Sequence, residues 1–210
     1  MESFRDNAGG RLSILGWVEG PAAEAADVRG VENFLLDLVE EESFAGALMD
    51  RCVDVGIAFA VAQIEAGADT IGVGDAICSQ MSRKMYETCV LPRQKRLFEG
   101  IQKAGGRVRL HICGDIRHLL PAIAQTRPDL IDCDWMVPLS EAREALGPKV
   151  VLTGNLDPVS GVMESTPEKI RAALTDLARQ ANGPYMIGAG CEIPPGTPPE
   201  NLKALCTPVL

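Results

Sequence analysis

Three side chains decide what chemistry this sequence can offer. "RLHICGDI" (109–116) puts His111 and Cys113 two positions apart at the end of an apolar run. "GAGCEIPPGTPPEN" (188–201) puts Cys191 after small residues that let backbones approach closely. Positions i and i+2 of a strand point to the same side, so His111 and Cys113 share a face and Ile112 takes the other. One imidazole nitrogen and two thiolates are donors that zinc accepts. Three protein ligands with a fourth position open is the arrangement of a catalytic zinc site, whereas structural sites close all four. The competing reading is packing: H-x-C alone also fits a neutral core histidine beside a core cysteine. Cys191 at a matching strand end is what favours the metal.

Most of the other polar residues near strand ends admit two readings. Glu19 is a metal or substrate contact, or it orders the Gly20-Pro21 turn. Asp75 contacts substrate or caps the helix entered near Ser79. Asn155 and Asp157 hold substrate or shape the turn before Pro158. Asp115 orients the site or caps the next helix. Asp134 closes another strand, and Glu192 braces the loop beside Cys191. Arg83 and Arg117 meet an anionic head group or are solvated. Cys52, Cys89 and Cys206 fall in helical patterns and read as packing residues. Cys133 alternates with Asp132 and Asp134 and points away from them, and Cys78 lies on a loop. "IGVGD" lacks G-x-G-x-x-G, so it does not read as a dinucleotide site.

These residues need a scaffold that brings strand ends together. Six short apolar runs, "RLSILGWVEGP", "DTIGVGDAI", "RVRLHICGD", "LIDCDWMVP", "KVVLTGNLDP" and "YMIGAGCEIPP", alternate with amphipathic stretches. Helical spacing covers 31–40, 42–66 (closed by Gly67), 82–104 (closed by Gly105-Gly106), 115–126 and 140–146, and Thr166-Pro167-Glu168 opens another. Strands alternating with helices imply parallel pairing with right-handed crossovers, and the near-continuous apolar strands imply cover on both faces. A doubly wound sheet and a barrel both satisfy this. Polar residues at the C-terminal ends of all six strands favour a TIM (β/α)8-type barrel, whose strand ends converge on one mouth. Six βα units are two short of closure. The expectation is therefore a partial barrel of 210 residues in a single domain, its N-terminal strands missing, with exposed strand edges covered in a homo-oligomer.

Composition limits the partners. A net charge of −9, from 20 Lys+Arg against 29 Asp+Glu, disfavours binding dominated by nucleic-acid phosphate or an anionic membrane surface. No stretch reads as a bilayer span, and "MESFRDNAGG" does not read as a signal peptide. Seven cysteines, odd in number and scattered through strands and helices, argue against a disulfide scaffold and for a reducing cytoplasm.

The sequence resembles the uroporphyrinogen decarboxylase superfamily, and within it the zinc-dependent corrinoid-protein methyltransferase branch, which includes methylcobamide:coenzyme M methyltransferases. The resemblance rests on "EGP" (19–21), "QIEAGADTIGVGDAICSQMSRKMYETCVLPRQK" (63–95), "HICGD" (111–115), "TGNLDP" (153–158) and "GCEIPPGTPPENLKAL" (190–205). It implies that His111, Cys113 and Cys191 ligate zinc, and that the chain is the C-terminal portion of the family's barrel. It also implies a partner protein carrying a corrinoid (methylcobalamin), and a small-molecule thiol or methylated substrate. Zinc would keep the thiol ionised as it takes up the methyl group, or polarise a donor in the reverse direction. The decarboxylase branch is the alternative, as is a non-catalytic barrel subunit. The decarboxylase branch carries its catalytic aspartate and its arginine-rich segment ahead of "EGP", and these residues do not include them.

Overall fold

The six apolar runs become β1 (Leu15–Glu19), β2 (Thr70–Gly74), β3 (Arg107–Ile112), β4 (Leu130–Cys133), β5 (Val151–Leu156) and β6 (Tyr185–Ala189). The computed structural model describes residues 1–207, and its strands lie in one sheet in the order β1-β2-β3-β4-β5-β6. Pairing is parallel from β1 through β3 and from β4 through β6. Among the described residues, β1 and β6 each have a strand on one side only. The fold class is α/β, with an open parallel sheet.

The helices are α1 (Glu2–Ala8), α2 (Pro21–Arg29), α3 (Val31–Glu40), α4 (Glu42–Glu65), α5 (Arg83–Met85), α6 (Leu91–Lys103), α7 (Leu120–Ile123), α8 (Leu139–Leu146), α9 (Pro167–Ala181) and α10 (Pro199–Leu205). None is long and apolar enough to cross a membrane. The helix expected over 82–104 is interrupted by a π-helical segment, Tyr86–Val90. Pro92 lacks an N–H and its ring crowds the carbonyl four residues back, so Leu91 N–H reaches five residues back to the Tyr86 carbonyl. The helix expected over 115–126 is a correction. Pro121 can sit only in a first turn, so helix begins at Leu120 and runs just to Ile123 before a 3-10 turn.

The chain divides into two compact units: Met1–His111 with Ala122–Asp129, and residues 112–121 with those from Leu130 on. The division passes between His111 and Ile112, bonded neighbours in β3. In the first unit, Ile71, Val73, Val108 and Leu110 share a core with Phe34, Met49, Leu97, Phe98 and Ile101, all nearly or wholly buried. The opposite strand face carries Trp17 and Glu19. Trp17 lies across Gly72 and Gly74, where an added Cβ would collide with the indole. The two glycines of "IGVGD" thus make a shelf for that ring.

In the second unit, Leu156, Val162, Ile170, Leu174, Ala204 and Leu205 form the core under β5, α9 and α10. Arg143, nearly buried, donates to the carbonyls of Ala181, Gly147, Val150 and Pro184 at 2.7–3.0 Å. Its guanidinium fork therefore ties the ends of α8 and α9 to the starts of β5 and β6.

Candidate metal centre

Strand period places the first two ligand candidates. Along β3, Val108, Leu110 and Ile112 are buried, while Arg109, His111 and, just beyond, Cys113 are half-buried on the other face. Register sets His111 beside Gly74, which pairs in turn with Glu19.

Cys191 arrives from β6. Gly190 N–H donates to the Leu156 carbonyl at 2.7 Å, carrying the chain one residue past the sheet. Only glycine fits there, because a Cβ would strike the backbone of Trp135. Cys191 Sγ then lies 3.6 Å from Cys113 Sγ. One ligand atom from each of His111, Cys113 and Cys191 falls within 4.8 Å of the others. Burial, followed by the neighbouring Cys191 thiol and the charge of Asp134, pushes the Cys113 thiol up to about 12. Two adjacent half-buried sulfurs become anions only with a positive charge to hold them.

Asp134, buried at 4% exposure, braces this corner. Its Oδ2 accepts from Gly114 N–H at 2.8 Å, immediately after Cys113, and its Oδ1 accepts from Met136 N–H at 3.0 Å. Asn155 completes the chain of support: its Nδ2 donates to the carbonyls of Asp134 (2.6 Å) and Val137 (2.8 Å). Asp134 was legible in the sequence only as one more strand-end acid. Its partners are backbone amides that folding delivers.

The other expected site residues stand apart from the three-residue cluster. Glu19 is half-buried, and its Oε1 accepts from Trp17 Nε1 at 2.9 Å. Its Oε2 leans over Gly74, only 2.9 Å from where a Cβ would be. Asp75 is fully buried. Its carboxylate accepts from Ala23 N–H (2.8 Å) and Gln94 Nε2 (2.6 Å), and Gln94 in turn accepts from Tyr86 Oη–H at 2.7 Å. Burial pushes that carboxyl up to about 6. These bonds join the α2 N-terminus and α6 to the end of β2, so Asp75 is bound as a brace. Asp157 accepts from Val159 and Ser160 N–H groups and caps the π-helix Pro158–Met163. Asp115 takes Arg117 in an ion pair at 2.5 Å and accepts its N–H at 3.1 Å, closing a local turn. Arg83 pairs with Glu87, and Glu192 is exposed.

The family model described as uroporphyrinogen decarboxylase (URO-D) matches residues 1–209. The chain belongs to the uroporphyrinogen decarboxylase family. Two URO-D family relatives divide between two activities. The methylcobamide:CoM methyltransferase MtbA of Methanosarcina mazei is 31% identical over 98% of this chain and 60% of its own length. A uroporphyrinogen decarboxylase of Nostoc punctiforme is 28% identical over 96% of this chain and 59% of its own. The chain thus spans about 60% of the length of these curated relatives. Among solved structures, a methyltransferase from Methanosarcina mazei has the same fold, with a TM-score of 0.88 at 24% identity, covering 97% of this chain and 60% of that one. The open sheet of this URO-D family chain is accordingly a partial (β/α)8-type barrel.

Proposed function

We propose that this URO-D family chain is the metal-bearing part of a zinc-dependent methyltransferase that moves a methyl group between a corrinoid protein and a thiol or methylated small molecule. The observation that carries the reading is the His111–Cys113–Cys191 cluster, in a chain whose relatives include a methylcobamide:CoM methyltransferase. The donor set fits zinc. Two sulfurs each about 2.3 Å from a tetrahedral zinc stand about 3.8 Å apart, and Cys113 and Cys191 stand 3.6 Å apart. His111 Nδ1 or Nε2 and the two Sγ atoms would hold the ion. Bound there, zinc supplies a Lewis acid that keeps a thiol deprotonated near neutral pH.

The chain's own residues set the conditions for this chemistry. The two cysteinates leave the bound ion without net charge, so a substrate thiolate remains electron-rich. Asp134 holds the backbone immediately after Cys113, and Asn155 holds the loop that carries Asp134. Glu19, leaning across Gly74 beside the His111 position, is the acid available on that face to orient a substrate or accept a proton from it. Asp75, Asn155 and Asp157 serve a substrate indirectly, by fixing the loops around the strand ends.

The decarboxylase relatives support a second reading, a decarboxylase acting on a porphyrinogen and needing no metal. Elemental analysis separates the two. We expect about one zinc per chain in the purified protein and its loss in a Cys191→Ala variant. Equal and negligible zinc in both proteins would return His111 and Cys113 to simple packing and leave the decarboxylase reading standing.

A further inference from the structure

Cys113 and Cys191 are near enough to react with each other, and the rest of the cysteine inventory makes the pair stand out. Cys78, Cys89 and Cys133 are buried, Cys52 is half-buried within α4, and Cys206 is exposed at the end of α10. Cys113 and Cys191 combine partial exposure with a sulfur-to-sulfur separation of 3.6 Å. A disulfide needs about 2.05 Å, so the sulfurs must close by about 1.5 Å. The surroundings favour that movement. Cys191 lies in the irregular stretch between β6 and α10, and Gly114 follows Cys113 at a positive φ of 93°. Small backbone adjustments on both sides are open to the pair.

We propose that Cys113 and Cys191 form a redox-labile pair: a peroxide joins them in an intramolecular disulfide and thereby expels the bound cation. This rests on the zinc reading for the expulsion, while the joining of the two sulfurs depends on their geometry alone. In the first step one thiolate attacks a peroxide oxygen; the O–O bond breaks, a sulfenic acid forms and hydroxide leaves. In the second, the other thiolate attacks the sulfenyl sulfur, the S–S bond forms and a second hydroxide departs. Two protons convert the hydroxides to water. The two sulfurs together lose two electrons, and hydrogen peroxide gains them. Each sulfur has spent the electron pair that bound the metal, which leaves His111 as the single donor. A dithiol reductant returns both electrons and restores the site.

The sequence provides a direct readout. Trypsin releases Cys113 in residues 110–117 and Cys191 in residues 180–203, each with one cysteine. Protein treated with hydrogen peroxide in the presence of a chromophoric zinc indicator is digested without reduction and analysed by mass. The expected product is the 110–117/180–203 pair joined and lighter by two hydrogens, with zinc released in step with the loss of two thiols. Addition of a dithiol separates the peptides. The same link forms in protein first stripped by a chelator, and more readily as pH rises, because without the cation a thiol must lose its proton before it can attack. Replacement of Cys113 by Ser, or of Cys191 by Ser, abolishes it. Peroxide that adds oxygen atoms to the two peptides separately, or links either to Cys133 or Cys206, overturns the proposal. Metal content before treatment tests the zinc reading by itself. A zinc-free protein that still forms the link refutes that reading and upholds the redox pair.

Discussion

Asp134 is the side chain that holds the backbone immediately after Cys113. A carboxylate accepts at both oxygens, and here each takes one backbone N–H, from Gly114 and Met136. An amide in its place accepts at one position and presents a donor at the other, so one of those bonds becomes a donor facing a donor. The expected outcome for Asp134→Asn is a folded protein whose zinc affinity falls about 10–100-fold, the usual cost of losing a residue that orients a ligand. Competition with a chromophoric chelator measures it, and unchanged affinity would remove Asp134 from the site. The sequence exposed His111, Cys113 and Cys191 because strand alternation and strand ends are read directly from residue order. It concealed the difference between Asp75, which faces α2, and a mouth residue. A polar residue at a strand end looks the same whether it meets a cavity or braces a loop. What separates them is burial: Asp75 is fully buried, and Ala23 and Gln94 already occupy its oxygens.

At the scale of elements, all six strands were legible, since each is a short apolar run closed by glycine or a polar residue. Helices with intact amphipathic spacing, such as α3 over 31–40, were equally plain. The failures occur where proline sits inside a helical pattern. Pro92 reroutes the helix through a π-helical turn, Pro121 delays the start of α7 to Leu120, and Arg127 in the left-handed conformation closes the 3-10 turn that follows. Helices α1, α2 and α10 were also missed: α2 and α10 open at Pro21 and Pro199, but little apolar spacing follows that start signal. The tie between α1, β1 and β2 was invisible, because it joins residues far apart in the chain. Asp69, just before β2, accepts from Ile14 N–H at 2.7 Å and pairs with Arg5 at 2.5 Å, while Arg5 also donates to the Gly67 carbonyl. The Ile14 amide first, and then Arg5, hold the Asp69 carboxyl below its ordinary value. A carboxyl lowered on folding contributes stability above its unfolded value of about 3.9 and loses it as pH falls through the folded one. Asp69→Asn is thus expected to unfold at lower urea than the parent at pH 7. The gap should be modest, since both partners of the ion pair are partly exposed, and it should narrow below about pH 4. Urea midpoints across a pH series test this, and a gap that stays constant into acid contradicts the assigned role of the carboxylate.

At the scale of the whole molecule, the consequence of a metal centre can be read without any turnover. This matters for a chain spanning about 60% of the length of its relatives. β6 is the strand with the weakest cover: none of its five residues is buried, whereas all five of β2 are. Among the described residues it lies at the edge of the sheet, and Cys191 follows it by two residues. An ion held by Cys113 and Cys191 joins positions 78 residues apart, and closing so long a loop takes more entropy from the unfolded chain than closing a short one. A ligand bound only by the folded state, at about a hundred times its dissociation constant, adds about 2.7 kcal/mol, equivalent to about a hundredfold in the opening equilibrium. That stabilisation should fall most on the segment that opens most readily. Removal of zinc by a chelator is therefore expected to speed amide hydrogen exchange at Tyr185–Ala189 by about 10–100-fold, with Thr70–Gly74 changed much less. A Cys191→Ser variant should show the fast β6 exchange even with zinc supplied. Exchange that rises equally in both strands would mean that the ion stabilises the protein as a whole, and exchange that rises in neither would mean that it does not hold the end of β6.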